Sequence, residues 1–430
     1  MGSHIAPCRF PVQAGTRSGL LWSEYGFLLG VAIAAAVTVD PLAWGLATYP
    51  AIKHLALLIT LPAIGLTLAG RRLFDPLPAA RRPVRAAEAA WPLLVLAAII
   101  VAGSLSARLL GDIRSTFLNV GLYMALTVAA AAMVLESDAP AALVRGYLRI
   151  VLVAATVMGC YLIANFGVRQ VYHEQIFLVI PMAAWFFADT GIRPLKRWPA
   201  FAFFLSMAGF SQKYTSYLIG MITVAYLAAI VALPRLRSKP LLHRLALVYG
   251  FLLLGTAAAA GLAILVARGS LALPTGNVEY RLHTYGTALE QFKASPLWGS
   301  LFTAEAVEKF TLYAIGIADN MLPTHSDLLD LMAHGGLLGL GLAAWGLARV
   351  ARIAYTSLLR PAALAHPWAP EAHTLALLSL AGGITFTFNP ILLQPSMAYL
   401  LWTGVGLLLG LSLRAQSPAV LDCPKPRRLW

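Results

Sequence analysis

Apolar runs of about 20 residues recur along this chain, separated by short polar stretches that hold most of its arginines. A helix rises 1.5 Å per residue, so a run of that length spans a hydrocarbon core about 30 Å thick. The pattern predicts twelve helices, near 20–39, 52–70, 91–107, 116–136, 146–166, 174–190, 199–212, 216–233, 245–267, 326–348, 374–392 and 396–413. The period-two alternation of an outer-membrane barrel is absent. The expected fold is an all-α polytopic membrane protein, with residues 1–430 forming a single integral membrane domain.

One connection stands apart. Residues 268–325 form a long segment between the ninth and tenth spans. Within it Leu282, Tyr285, Leu289 and Phe292 recur at helical spacing, and Phe302, Ala306, Phe310 and Tyr313 do much the same. Both sets predict amphipathic helices lying on the membrane or folding over a cavity. Long ordered loops on a rigid scaffold are where binding and catalytic residues concentrate.

Composition agrees with the hydropathy pattern. The chain is 59% hydrophobic and 12% charged, with mean hydropathy +0.75, too little charge to cover a soluble domain of 430 residues. No cleavable signal peptide is read, so the first span is expected to stay in place. The net charge of +14 would suggest nucleic acid in a soluble protein, but no basic cluster interleaved with stacking aromatics occurs, and no nucleic-acid partner is expected. Placing both termini in the cytoplasm puts 23 of the 32 Lys and Arg in inside segments. The other nine are Lys53, Arg108, Arg114, Arg169, Lys213, Arg268, Arg281, Lys293 and Lys309, and each is a candidate for chemistry on the outer side. The spacing of Cys8, Cys160 and Cys423 fits neither a zinc site nor a disulfide framework.

Residues 324–339, THSDLLDLMAHGGLLG, crowd polar groups onto the front of an apolar helix. Thr324 or Ser326 can cap it, and Asp327 suits the positive end of the helix dipole. Gly335 and Gly339 form a small-xxx-small pair that admits a neighbouring helix. His334 aligns with Asp330 at i−4, which makes a buried Asp330–His334 pair the expected contact; a metal site on Asp327, Asp330 and His334 is the weaker alternative. His325 sits at the helix mouth, and an ionisable group at membrane depth is a functional candidate. With Arg281 and Lys213 on the same side, the joint reading is a cationic pocket suited to a pyrophosphate, since an Arg fork grips phosphate oxygens and a Lys adds a point charge.

These residues resemble a family. His325-Ser326, nine residues, then Gly336-Leu337-Leu338-Gly339 is similar to the pattern of the bacterial O-antigen ligase and polymerase superfamily, which also includes protein O-oligosaccharyltransferases. So is Arg281, opening a helix that runs to Ser295-Pro296-Leu297-Trp298-Gly299. Ser211-Gln212-Lys213 departs from the family, which carries an Arg there. The resemblance implies a type-C glycosyltransferase-like fold in the bacterial inner membrane, with 268–325 as a periplasmic loop and part of the active site. It implies transfer of a glycan from undecaprenyl pyrophosphate to a lipid A-core oligosaccharide, with no metal and no cofactor. His325 and Arg281 would be catalytic; Lys213, Arg169, Arg108 and Ser326 would bind the pyrophosphate or glycan. His325 would act as general base or orient the pyrophosphate, and the sequence leaves both open. Besides these two substrates, the expected partners are membrane lipids. An O-antigen polymerase or protein O-oligosaccharyltransferase is the alternative, and a polyprenyl-glycan transporter, prompted by Pro181 inside the sixth span, is the more distant one. A loop of under sixty residues favours the ligase.

Overall fold

The computed structural model describes residues 20–40, 46, 50–74, 81–110, 117–166, 175–189, 191–211, 213–236, 275–304, 308–312, 317–322, 326–360, 366–389, 391–392 and 394–416. Helices run α1 (Trp22–Val39), α2 (Pro50–Phe74), α3 (Arg81–Leu110), α4 (Leu118–Glu136), α5 (Pro140–Ala164), α6 (Ile176–Val179), α7 (Met182–Ala188), α8 (Pro194–Phe210), α9 (Tyr214–Leu236) and α10 (Thr275–Ala294). Strands β1 (Glu308–Leu312) and β2 (Ile317–Leu322) follow, then α11 (Asp327–Ala354), a π-helical turn (Tyr355–Leu359), α12 (Ala369–Phe388) and α13 (Pro395–Ala415).

Eleven of the twelve predicted spans carry helix, and the ninth, 245–267, lies outside the described residues. Among the described residues seven helical stretches are long and apolar enough to cross a membrane: Trp22–Val39, Val84–Ala107, Leu118–Glu136, Pro140–Ala164, Tyr214–Ala232, Asp327–Leu359 and Pro395–Ala415. His54–Ala69 and Ile176–Ala188 are shorter apolar helices. Leu58, Leu61 and Leu66 on α2, Val153 on α5 and Met221 on α9 are exposed, as lipid-facing side chains are. The protein is a multi-pass helical membrane protein.

Pro181 interrupts the sixth span, because it has no N–H to offer the preceding turn. Ile180 and Pro181 nevertheless keep right-handed helical angles, so α6 and α7 form one bent rod. The second amphipathic helix expected in the long segment is not formed. Residues 295–302 make a looped turn, and 308–322 hold an antiparallel hairpin pairing Lys309 with Met321 and Phe310 with Asn320. Pro296 and Gly299 stop the helix, and the alternation Lys309, Phe310, Thr311, Leu312 suits a strand. The first expected helix exists as α10, turned differently: Thr284 and Ala288 are buried and Leu289 is exposed.

α13 is the axis of the bundle. It is apolar all round, as enclosure by other helices requires, and almost every residue from Ser396 to Ala415 is buried. Its main neighbour is α4. Small residues let the two backbones touch: a Cβ on Gly410 would lie 2.7 Å from the Ala131 carbonyl oxygen. Polar side chains tie the axis to its surroundings. The Thr60 and Tyr399 hydroxyls pair at 2.6 Å, Tyr147 donates to the Leu400 carbonyl at 2.8 Å, and Arg414 donates to the Leu135 carbonyl at 2.6 Å.

Contacts between helix ends sort the molecule into two ends. At one, Arg145 pairs with Glu371, and Arg349 donates to the Glu88 and Ala89 carbonyls. At the other, the start of α4 meets the loop after α10, and the start of α11 meets the end of α12. The candidate site lies at this second end.

Candidate functional site

Ser326 caps α11. Its hydroxyl accepts from the Leu329 amide at 3.3 Å and donates to the Thr387 carbonyl at 2.7 Å, which fixes the start of α11 to the end of α12. Asp327, buried, accepts from the Ile391 and Leu392 amides at 2.7 and 2.8 Å. One carboxylate oxygen thereby satisfies two backbone groups that hydrocarbon would leave dry.

Three turns further on, α11 breaks. Gly336 has φ 59° and ψ −158°, a conformation open essentially only to glycine. In an unbroken helix the Leu338 amide would donate to the His334 carbonyl. Instead Leu338 donates to the Leu297 carbonyl at 3.1 Å, Leu337 donates to the Pro296 carbonyl at 2.9 Å, and the His334 carbonyl accepts from Phe302 at 3.2 Å. The loop 295–302 fills the gap and takes over the freed hydrogen bonds. Gly299, at φ 61°, crosses the backbone of His334 so closely that no side chain fits. Leu301 and Phe302 also hold positive φ, 50° and 61°, at a cost of roughly 1–3 kcal/mol each.

Aromatic packing fastens the plug. The Phe302 ring is buried, stands edge-on to Phe117 at 5.4 Å and presses on Gly335. Gly103 of α3 lies directly against the Leu301 carbonyl. The His334 ring sits 4.6 Å from Phe117, and its Nδ1 pairs with the Ser300 hydroxyl at 3.0 Å. Two expectations change here. The polar partner of His334 is Ser300 in the loop, and the close approach at Gly335 is made by that loop rather than by a helix. Beneath the plug lies a cavity of about 60 Å³ lined by Phe117, Phe302, Asp327, Asp330, Leu331 and Trp402. At about 10–15 Å³ per water, it has room for a few waters.

Of the expected site residues, His325 and Arg169 lie outside the described residues, as does Arg114. Arg108 is in the last turn of α3, five residues past Gly103, and its side chain lies outside them too. Arg281 is on α10, the helix that leads into the plug; its Nε is buried and has no hydrogen-bond partner among the described residues. Lys213 lies in the α8–α9 turn, half-buried, its carbonyl accepting from Ser216 and Tyr217. Phe210 at the end of α8 meets Phe166 beyond the end of α5 at 5.3 Å, which puts Lys213 at the same end of the bundle as the plug. Ser326 is committed to capping. Among the described residues no three His, Cys, Asp or Glu are grouped to hold a metal.

Neither a family model nor a curated protein matches the chain. The functional reading therefore rests on the residues themselves. Sequence reasoning missed Ser300 and Phe117, and placed Phe302 on an amphipathic helix rather than in the plug. Their signal is weak, since a serine beside a Pro-Leu-x-Gly turn and a phenylalanine at a helix start look like ordinary loop and core residues.

Proposed function

We propose that this protein is a glycosyltransferase that moves O-antigen glycan from undecaprenyl pyrophosphate to a lipid A-core oligosaccharide at the periplasmic face of a bacterial inner membrane. The carrying observation is the interlock of two stretches that each bear part of the family resemblance. Pro296-Leu297-Trp298-Gly299 occupies the break at Gly336, with Ser300 and His334, 34 residues apart, hydrogen-bonded in the same joint. A pattern shared by chance has no reason to assemble into one structural unit. The unit ties α10, which carries Arg281, to α11, whose cap directly follows His325.

The basic residues support the orientation. Arg85, Arg145, Arg149, Arg349, Arg352 and Arg414 fall at the end away from the plug, which the positive-inside rule makes cytoplasmic. With twelve spans, both termini are then cytoplasmic, and the plug faces the periplasm.

In the reaction an acceptor hydroxyl attacks the anomeric carbon of the donor sugar. The bond from that carbon to the pyrophosphate oxygen breaks, and its electron pair leaves with the pyrophosphate. Arg281 and Lys213 stabilise the charge that grows there, and the resemblance adds Arg169 and Arg108 to that role. The acceptor proton passes to His325 as general base, or to the departing pyrophosphate with His325 orienting it. An unperturbed imidazole, with a pKa of about 6.5, is suited to either role near neutral pH.

The test is complementation of a ligase-deficient Gram-negative host that makes a matching O-antigen. The wild-type chain restores a lipopolysaccharide ladder on lipid A core, and His325→Ala at equal membrane abundance does not. Lengthened lipid-linked repeats with no ladder would make it a polymerase. Glycan flux across the membrane with no new covalent product would make it a transporter.

A further inference from the structure

At the arginine-rich end, opposite the plug, an open cavity of about 750 Å³ lies between the starts of α1 and α5 and the turn before α12. Three anion-seeking features line it. Arg145 has its Nε held by the buried carboxylate of Glu371, and its terminal nitrogens have no hydrogen-bond partner among the described residues. Arg149, one helical turn along, is exposed and has no ion-pair or hydrogen-bond partner among them either. The first turn of α5, a 25-residue helix, has no side-chain cap, and Ala141 and Ala142 of that turn face the cavity.

The rest of the lining is interfacial. Tyr25 and Trp368 contribute aromatic rings, and Leu20 and Leu28 an apolar wall. Trp22, almost fully exposed, stands beside Tyr25. Aromatic side chains of this kind sit at the headgroup level of a bilayer, and basic pockets between helices there receive lipid phosphates. Asp138 also lines the cavity and has an interaction of its own, so the arginines face an opposing charge at the rim.

We infer that this cavity binds the phosphate of a membrane phospholipid, gripped by Arg145 and Arg149 at the mouth of α5 with its acyl chains along α1. The inference uses no residue of the proposed transfer site and stands whether or not that reading holds.

The test is native mass spectrometry of the full chain in detergent, titrated with dioleoylphosphatidylglycerol. Dioleoylglycerol, which has the same tails and no phosphate, is the control. The wild-type chain is expected to hold phosphatidylglycerol in preference to dioleoylglycerol, and Arg149→Gln to weaken it about tenfold, the worth of one charged hydrogen bond. Arg149 is exposed, so this variant folds where Arg145→Gln, which leaves Glu371 unpaired, can fail. Inorganic phosphate that displaced the lipid would support the phosphate site and overturn its membrane source. Equal binding of dioleoylglycerol, or undiminished phosphatidylglycerol binding by Arg149→Gln, would overturn the proposal.

Discussion

The Phe302 amide donates to the His334 carbonyl at 3.2 Å, in the place where an unbroken helix would have put Leu338. A loop residue thus stands in for a turn of helix. Exchanges of this kind are how non-helical backbone survives at membrane depth, because each polar group keeps a protein partner. The loop and the helix break are therefore one feature, and neither is stable without the other.

Gly336→Ala tests that directly. A Cβ there would lie 2.6 Å from the Leu297 carbonyl group and the Trp298 nitrogen, in a backbone conformation that side chains rarely adopt. The expected loss is about 3 kcal/mol or more, or no folded protein. Gly341→Ala, on the same helix with open space around it, is expected to be neutral or stabilising by up to about 1 kcal/mol. Thermal unfolding in detergent of the two variants side by side gives the answer; equal effects would mean that the break is not where the structure puts it.

Phe302→Ala removes a buried ring from between Phe117 and Gly335. It is expected to cost about 3–5 kcal/mol. Ser300→Ala removes one hydrogen bond to His334 and is expected to cost about 1 kcal/mol. A larger effect of Ser300→Ala than of Phe302→Ala in the same unfolding assay would show that the joint is held by its polar contact.

Asp327 separates charge from hydrogen bonding. Asn at 327 keeps an acceptor for the Ile391 and Leu392 amides, whereas Ala leaves both unsatisfied at about 1–3 kcal/mol apiece. The expected order of stability is wild type close to Asp327→Asn, with Asp327→Ala well below. If Asn proved as damaging as Ala, the negative charge itself would be what the site needs.

For the proposed transfer, Arg281→Ala is expected to lower ladder formation by about 10²–10³-fold, the usual cost of losing one preorganised charge stabiliser. Lys213→Arg, which keeps the cation, is expected to retain activity. Treatment with EDTA is expected to leave transfer intact; loss on EDTA with recovery on Mg²⁺ would move Asp327 and Asp330 to the centre of the chemistry. Gel analysis of lipopolysaccharide at matched protein levels reads all three.

The helices were legible because hydrophobic length and arginine spacing are local signals, and the cap at Ser326 was legible for the same reason. The break at Gly336 was not. Gly335 and Gly339 read as a helix-packing pair and Gly336 only as part of a motif, and what reveals the break is a loop far back in the chain. The bonds of Asp327 to Ile391 and Leu392, and of His334 to Ser300, are likewise long-range and carry no periodicity. The hairpin at 308–322 was read as helix because aromatic spacing alone does not exclude a strand. At the site, the residue types pointed to phosphate chemistry, while their supporting shell had to be seen.

The enclosure of α13 has a consequence for assembly. Tyr399 finds Thr60 across 339 residues, and Tyr147 reaches the Leu400 carbonyl across 253. Contacts this distant form late, since they wait on the intervening chain and bear its closure entropy. Helices α1 to α5, which all pack on α13, therefore enter the bilayer before that rod exists and reach their final packing only when it arrives. Consolidation of the bundle is a post-insertion event, set off by the arrival of one helix.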